Sequence, residues 1–431
     1  MNFYIGDAYM KKIHYSWVIL VITFFSIIVA GIIRSSSGVF IEPFEAEFGW
    51  SRPVISFAFA VGLFLYGFSG PFMAAFVERF GLKRTMIASM ALLTLGLGLT
   101  FVMTEEWQLI LIWGVMIGIG SGLFLTVLST QIGNRWFVKH RGLAVGILTA
   151  ATATGQLVLL PILARLIEQY SWHHAIALIF GLSTIMLLII VLFMKDWPKQ
   201  LGITALGAVK DEFKISTNTT SNENPFKIVW ISLIEGSKSK AFWLLAGSFF
   251  ICGLSTTGLI GTHFVGYCMS YGIPMVLAAS MLSFMGIFDL VGTTLSGWLS
   301  DKIDNRWLLF SYYGLRGLSL LFLPFALNNG SITLLVIFSV FYGLDWIATV
   351  PPTIGLARRE FGMKKSAMMY GWMVAFHQVG AAVAAYGGGL IYNIFDSYTW
   401  AFILSGVFCA LGSLFVILLK KHDPKNEIIM D

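Results

Sequence analysis

Among the ionisable side chains inside long apolar runs are Arg34, Asp289, Arg316, Asp345 and His377. A charge held in hydrocarbon is expensive, so such residues face a protein interior or a water-filled cavity and mark the paths of ions and substrates. The guanidinium of Arg34 suits two-pronged recognition of a carboxylate; snorkelling to the headgroups is its alternative. Counted at 1.5 Å per residue, Asp289, Arg316 and His377 share a depth of roughly 15–17 Å, with Asp345 shallower at roughly 10 Å and Arg34 toward the far half. An aspartate whose protonation responds to burial and to a nearby arginine can couple proton movement to a substrate, which makes Asp289, Arg316 and Asp345 candidates for proton coupling. The competing reading is an Asp289–Arg316 ion pair that only joins neighbouring helices. For His377 the choice lies between substrate contact and hydrogen-bonded packing, and Gln156 can hydrogen-bond either a substrate or another helix.

A second charged pattern lies in two loops. A small residue, Ala74 or Gly297, precedes an acid by four places, a base follows directly, and Lys83 or Arg306 stands five places after the acid. The acids, Glu78 and Asp301, are 223 positions apart (301 − 78), about half of the 431-residue chain, as expected of a duplicated membrane protein. Glu78, Arg79, Asp301 and Lys302 are therefore read as gate residues that pair across the two halves when one mouth is shut.

These residues need helices to position them. With 57% hydrophobic and 12% charged residues and a mean hydropathy of +0.81, the apolar side chains must face lipid. A helix crosses a bilayer with about twenty apolar residues, and twelve runs, from 15–37 to 398–419, are long enough. The expected fold is an all-α membrane protein of twelve transmembrane helices in two six-helix bundles, over 1–195 and 241–431. The linker, 196–240, is polar; its part from 204 to 223 lacks periodicity and reads as disordered. An amphipathic helix then starts at Pro225, capped by Asn224, and suits the membrane surface. Bases gather on alternate loops rather than in one stripe, which argues against a nucleic-acid partner. By the positive-inside rule they put both termini and the linker in the cytoplasm of a cell-membrane protein. Lys11 and Lys12 precede a run too long for a cleaved signal peptide, so a retained first helix is expected. Cys252, Cys268 and Cys409 have neither metal-ligand nor redox spacing and read as packing residues. No ATP-binding pattern or cofactor motif stands out, nor an enzyme's nucleophile–base or metal constellation, so an ion gradient must supply the energy.

The stretch Arg135-Trp-Phe-Val-Lys139-His-Arg141-Gly-Leu-Ala-Val-Gly146, running on to Gly155-Gln156, resembles the loop-and-fifth-helix signature of the monocarboxylate transporter family within the major facilitator superfamily. Ser37-Gly38-Val39-Phe40, Glu78-Arg79-Phe80-Gly81 and Phe288-Asp289-Leu290-Val291 follow in the family's order. The resemblance implies symport of a small organic anion, commonly with a proton, by alternating access of two bundles. It also implies a cation on the first span and an Asp with an Arg one turn later on the eighth. Here Thr293 stands four places after Asp289, and Arg34 lies one place from the aligned first-span cation. A larger carboxylated metabolite, such as a siderophore or amphiphilic peptide, is the alternative substrate. A membrane sensor derived from a transporter is the alternative from another class.

Overall fold

The computed structural model describes residues 14–208 and 225–419, and no strand is formed among them. Eleven helices are long and apolar enough to cross a membrane. With Arg141–Gln169 they make twelve spans. In chain order the spans are Tyr15–Ser35, Arg52–Phe80, Leu82–Thr100, Glu106–Trp136, Arg141–Gln169 and Trp172–Phe193, then Lys240–Met269, Met275–Ser300, Asn305–Asn328, Ile332–Gly362, Lys365–Phe395 and Thr399–Ile417. They are called the first to the twelfth span below. The face bearing Glu78 and Asp301 is called the basic end, and the face bearing Glu45 and Glu168 the acidic end.

Small residues let the spans approach. A Cβ on Gly118 in the fourth span would come within 2.7 Å of the Gly62 carbonyl oxygen in the second, so the sequence Gly114-x-x-x-Gly118 is a packing device. Buried side chains on the first, second, fourth and sixth spans, such as Ile32, Phe59, Trp113 and Ile179, belong to one apolar core, and Phe242, Tyr313, Met373 and Val416 to another in the second half.

The first helix does not stop where its apolar run does. After a turn at Ser36 it continues as Ser37–Phe48, which packs on the acidic-end part of the seventh span. The tenth span also outruns the expected 331–352. Its helix breaks after Asp345, and Pro351 and Pro352, rather than ending it, occupy the first turn of a new helix, where their missing N–H groups cost nothing. Gly362, at φ 72°, then separates the tenth span from the eleventh.

Residues 204–208, expected to be disordered, are placed: Leu206 pairs with Phe137, donating its N–H to the Trp136 carbonyl at 2.9 Å. The remainder of that segment, 209–224 with Asn224, lies outside the described residues. The helix expected after it is Pro225–Ser237, the linker helix.

Candidate substrate and coupling site

The first half builds its site around Arg34. A small cleft lies between the first, second and fourth spans, lined by Arg34, Phe59, Leu63, Trp113 and Ile117, with Ser37 and Ser121 as the polar neighbours. The guanidinium of Arg34 sits 5.3 Å from the centre of the Tyr66 ring, an attraction between cation and ring quadrupole. Its buried Nε has no hydrogen-bond partner among the described residues, and neither has the Nε1 of Trp113. The snorkelling alternative is corrected: the Arg34 side chain lies over the Tyr66 ring and lines the cleft instead of reaching outward to headgroups. Cation and indole leave two donors in an apolar cleft without an acceptor. Such groups carry a desolvation cost that an incoming carboxylate removes.

The second half treats its arginine differently. Arg316, 1% exposed, donates from Nε to Asp345 Oδ2 at 2.6 Å, from Nη1 to the Cys252 sulfur at 2.9 Å, and from Nη2 to the carbonyls of Asp345 and, at 3.1 Å, Trp346. The expected Asp289–Arg316 pair is replaced by Arg316–Asp345. Asp289, also buried, instead accepts the Ile347 N–H at 2.9 Å and the Thr293 hydroxyl at 3.0 Å. All of these contacts serve the break in the tenth span. Pro351 and Pro352 cannot donate to the carbonyls four places back, and the tight turn takes the Gly343 carbonyl for Trp346, leaving the Ile347 N–H free. Arg316 satisfies two orphaned carbonyls, the Ser296 hydroxyl takes that of Ala348, and Asp289 takes the orphaned N–H. The expected shallow depth of Asp345 is wrong for the same reason: counting began at Pro352, ten residues before the span ends (362 − 352).

His377 does not join Asp289. It lies 3.5 Å from the Thr256 hydroxyl and 3.2 Å from the Gln378 amide nitrogen, with its ring 5.0 Å from Phe249. Cys252 stands between His377 and Arg316, a part that spacing did not reveal when the cysteine was read as packing. The Gln156 side chain lies outside the described residues.

The gate residues are apart. Glu78, Arg79, Asp301 and Lys302 are all exposed. Arg79 lies over the Phe80 ring and Lys302 over the Trp298 ring, each within its own half. The repeated loop has a structural role that the pattern did not reveal. In the first half Gly81, at φ 88°, turns the chain so that Asp196 caps the third span through the Lys83 N–H at 2.8 Å. In the second half Asp304, at the position equivalent to Gly81, caps the ninth span itself, and the Arg306 hydrogen bond holds its carboxyl below the usual range. Arg306 then reaches the Leu419 carbonyl, the position equivalent to Asp196, at 2.9 Å.

At the acidic end the halves are locked together. Arg52 pairs with Glu45 at 2.6 Å, lies 3.8 Å from the Tyr392 ring centre and donates to the Tyr398 hydroxyl at 3.3 Å. Glu168 of the fifth span accepts the Val276 N–H at the start of the eighth at 3.0 Å. The halves are thus joined at the acidic end, and Arg34 has no acidic partner among the described residues.

The model of the Major Facilitator Superfamily matches residues 23–363 and 271–429. The chain belongs to the Major Facilitator Superfamily. Among curated relatives of this superfamily member, an uncharacterized MFS-type transporter, YcxA of Bacillus subtilis (strain 168), is 24% identical over 95% of this chain and 97% of its own. Monocarboxylate transporter 13 of Rattus norvegicus is 26% identical over 94% and 89%, in keeping with the resemblance read from the motifs. Among solved structures, a bacterial homologue of the human lysosomal transporter Spinster, inward-facing and unoccupied, superposes with a TM-score of 0.72 at 13% identity, covering 96% of this chain and 97% of its own. A D-xylose-proton symporter gives 0.70 at 14% identity, covering 95% and 98%. The protein is thus a multi-pass membrane transporter with the major facilitator fold and not an enzyme.

Proposed function

We propose that this transporter carries a small organic anion of the monocarboxylate type together with a proton, by alternating access, across the cell membrane. The observation that carries the reading is Arg34: a cation in an apolar cleft, held by an aromatic ring and lacking an acidic partner among the described residues, asks for an anion.

Proton coupling is supported by the second half, where two buried carboxylates, Asp289 and Asp345, stand around one guanidinium. Asp345 has the cation, so Asp289 is the group that takes and releases the proton. The basic end faces the cytoplasm, with both termini, because Lys and Arg gather in its loops. Glu78 and Asp301, each beside its base, form the gate that closes the basic end in the opposite state, while residues 1–195 and 241–431 act as the two rocking bodies.

The test is uptake by purified protein in liposomes from a panel of carboxylates, with and without a pH gradient. Arg34→Gln is expected to abolish saturable uptake of the preferred anion. Uptake by that variant equal to the unmodified protein's overturns the proposal.

A further inference from the structure

The linker helix Pro225–Ser237 takes no part in the central site, yet it touches both halves of the molecule. Its inner face is held by Trp372 of the eleventh span, whose Nε1 donates to the Val229 carbonyl at 3.2 Å and to the Ser232 hydroxyl at 3.1 Å. Glu235 pairs with Lys365 at 2.7 Å. Trp230 reaches across: its ring is 5.9 Å from Trp372 and 5.7 Å from Phe72 of the second span. One side chain therefore lies across the seam between spans two and eleven at the basic end, touching both sides of it.

The seam lies below the membrane surface. Phe72 is eight residues from the end of its span (80 − 72) and Trp372 seven from the start of its own (372 − 365). At 1.5 Å per residue this is about 10–12 Å, the depth at which an interfacial helix seats its apolar face. Trp230, Ile231 and Ile234 are exposed and continue the apolar belt made by Phe68 of the second span and Trp243 of the seventh. Lys227 near its start and Lys238 just past its end are exposed, as is Lys240 at the start of the seventh span. Apolar side chains continuous with the lipid-facing belt, flanked by bases, fit an anionic bilayer surface.

We propose that the linker helix docks on anionic phospholipid at the basic end and, through Trp230, wedges the seam between spans two and eleven, so that lipid charge stabilises the form closed at the acidic end. Rocking of the halves shifts the two spans against each other. Trp230 cannot then stay on both Phe72 and Trp372, so whatever anchors the helix favours the form in which both contacts exist.

The test reads conformation and needs no substrate, so its failure leaves the anion-carrier reading standing. Val138 and Ile303 are exposed, in basic-end loops of opposite halves, and the three native cysteines are buried. Spin labels on Val138→Cys and Ile303→Cys report the separation of the halves in phosphatidylcholine vesicles with and without phosphatidylglycerol. The label pair in the otherwise unmodified chain is expected to shift toward longer distances with phosphatidylglycerol. In the triple variant Lys227→Gln, Lys238→Gln, Lys240→Gln that dependence is lost, each lysine carrying about fivefold in the attraction to the anionic surface. Trp230→Ala is expected to give shorter distances in both lipids. Lipid-independent distances in the unmodified chain, retained lipid dependence in the triple variant, or unchanged distances in Trp230→Ala overturn the proposal. The lysine variants alter exposed side chains only, so the test survives a misfolded Trp230→Ala.

Discussion

The two halves share a topology and each sets an arginine among its spans, but Arg34, half-buried, and Arg316, fully buried, live under opposite rules. Arg316 has an acid, a thiol and two backbone carbonyls around it, all inside its own half. Arg34 has an aromatic ring and a Nε with no acceptor among the described residues. The difference teaches that charge in a membrane interior has two uses. A fully answered cation holds a fold together, and an unanswered one waits for a ligand. On the proposed reading the first half is the substrate side and the second half the coupling side.

The largest effect should come from breaking the answered side. Arg316→Gln leaves Asp345 buried without its cation and two carbonyls without donors, at a cost of about 3–5 kcal/mol. Thermal unfolding in detergent should show a sharp loss of folded protein. The double variant Arg316→Gln, Asp345→Asn should recover little, because the carbonyls of Asp345 and Trp346 stay orphaned. Full recovery would reduce the cluster to a simple ion pair.

Breaking the unanswered side should do the reverse. Arg34→Gln is expected to leave the unfolding temperature unchanged while weakening anion binding by about 1.5–3 kcal/mol, the range for a charge-assisted hydrogen bond. Binding measured by calorimetry against unfolding measured on the same sample separates the halves directly. A large stability loss in Arg34→Gln would erase the contrast.

Asp289→Asn tests the coupling side without dismantling it. Asparagine keeps an acceptor for the Ile347 N–H, so stability should fall by no more than about 1 kcal/mol. Uptake driven by a pH gradient should disappear while anion exchange, which moves no net proton, persists. Loss of both modes with intact folding would remove Asp289 from proton transfer.

The smallest effect is expected at the gate. Glu78→Gln with Asp301→Asn removes exposed charges of about 0.2–1 kcal/mol each, so turnover should fall a few-fold with anion affinity preserved. Affinity loss at unchanged turnover would place these acids on the ligand instead.

Much of this molecule is legible one residue at a time. Apolar runs of bilayer length, the loop repeated at Glu78 and Asp301, and bases on alternate loops depend only on local composition and spacing, so twelve spans and a duplicated carrier follow from the chain itself. Arg34, Asp289, Arg316, Asp345 and His377 were equally visible, since each is conspicuous against apolar neighbours. What the chain did not reveal is partnership. Asp289 and Asp345 look alike in sequence, and only the break before Pro351 and Pro352 turns one toward Arg316 and the other toward the Ile347 N–H. Depth counted from span ends failed at Asp345 because that break lets the helix restart and run on to Gly362. Arg34 was ambiguous between lipid and cleft until the second span set Tyr66 beneath it. Local patterns fix where helices form because burial and backbone bonding are local costs. Which charges meet depends on how distant helices cross, and that is decided only when they pack.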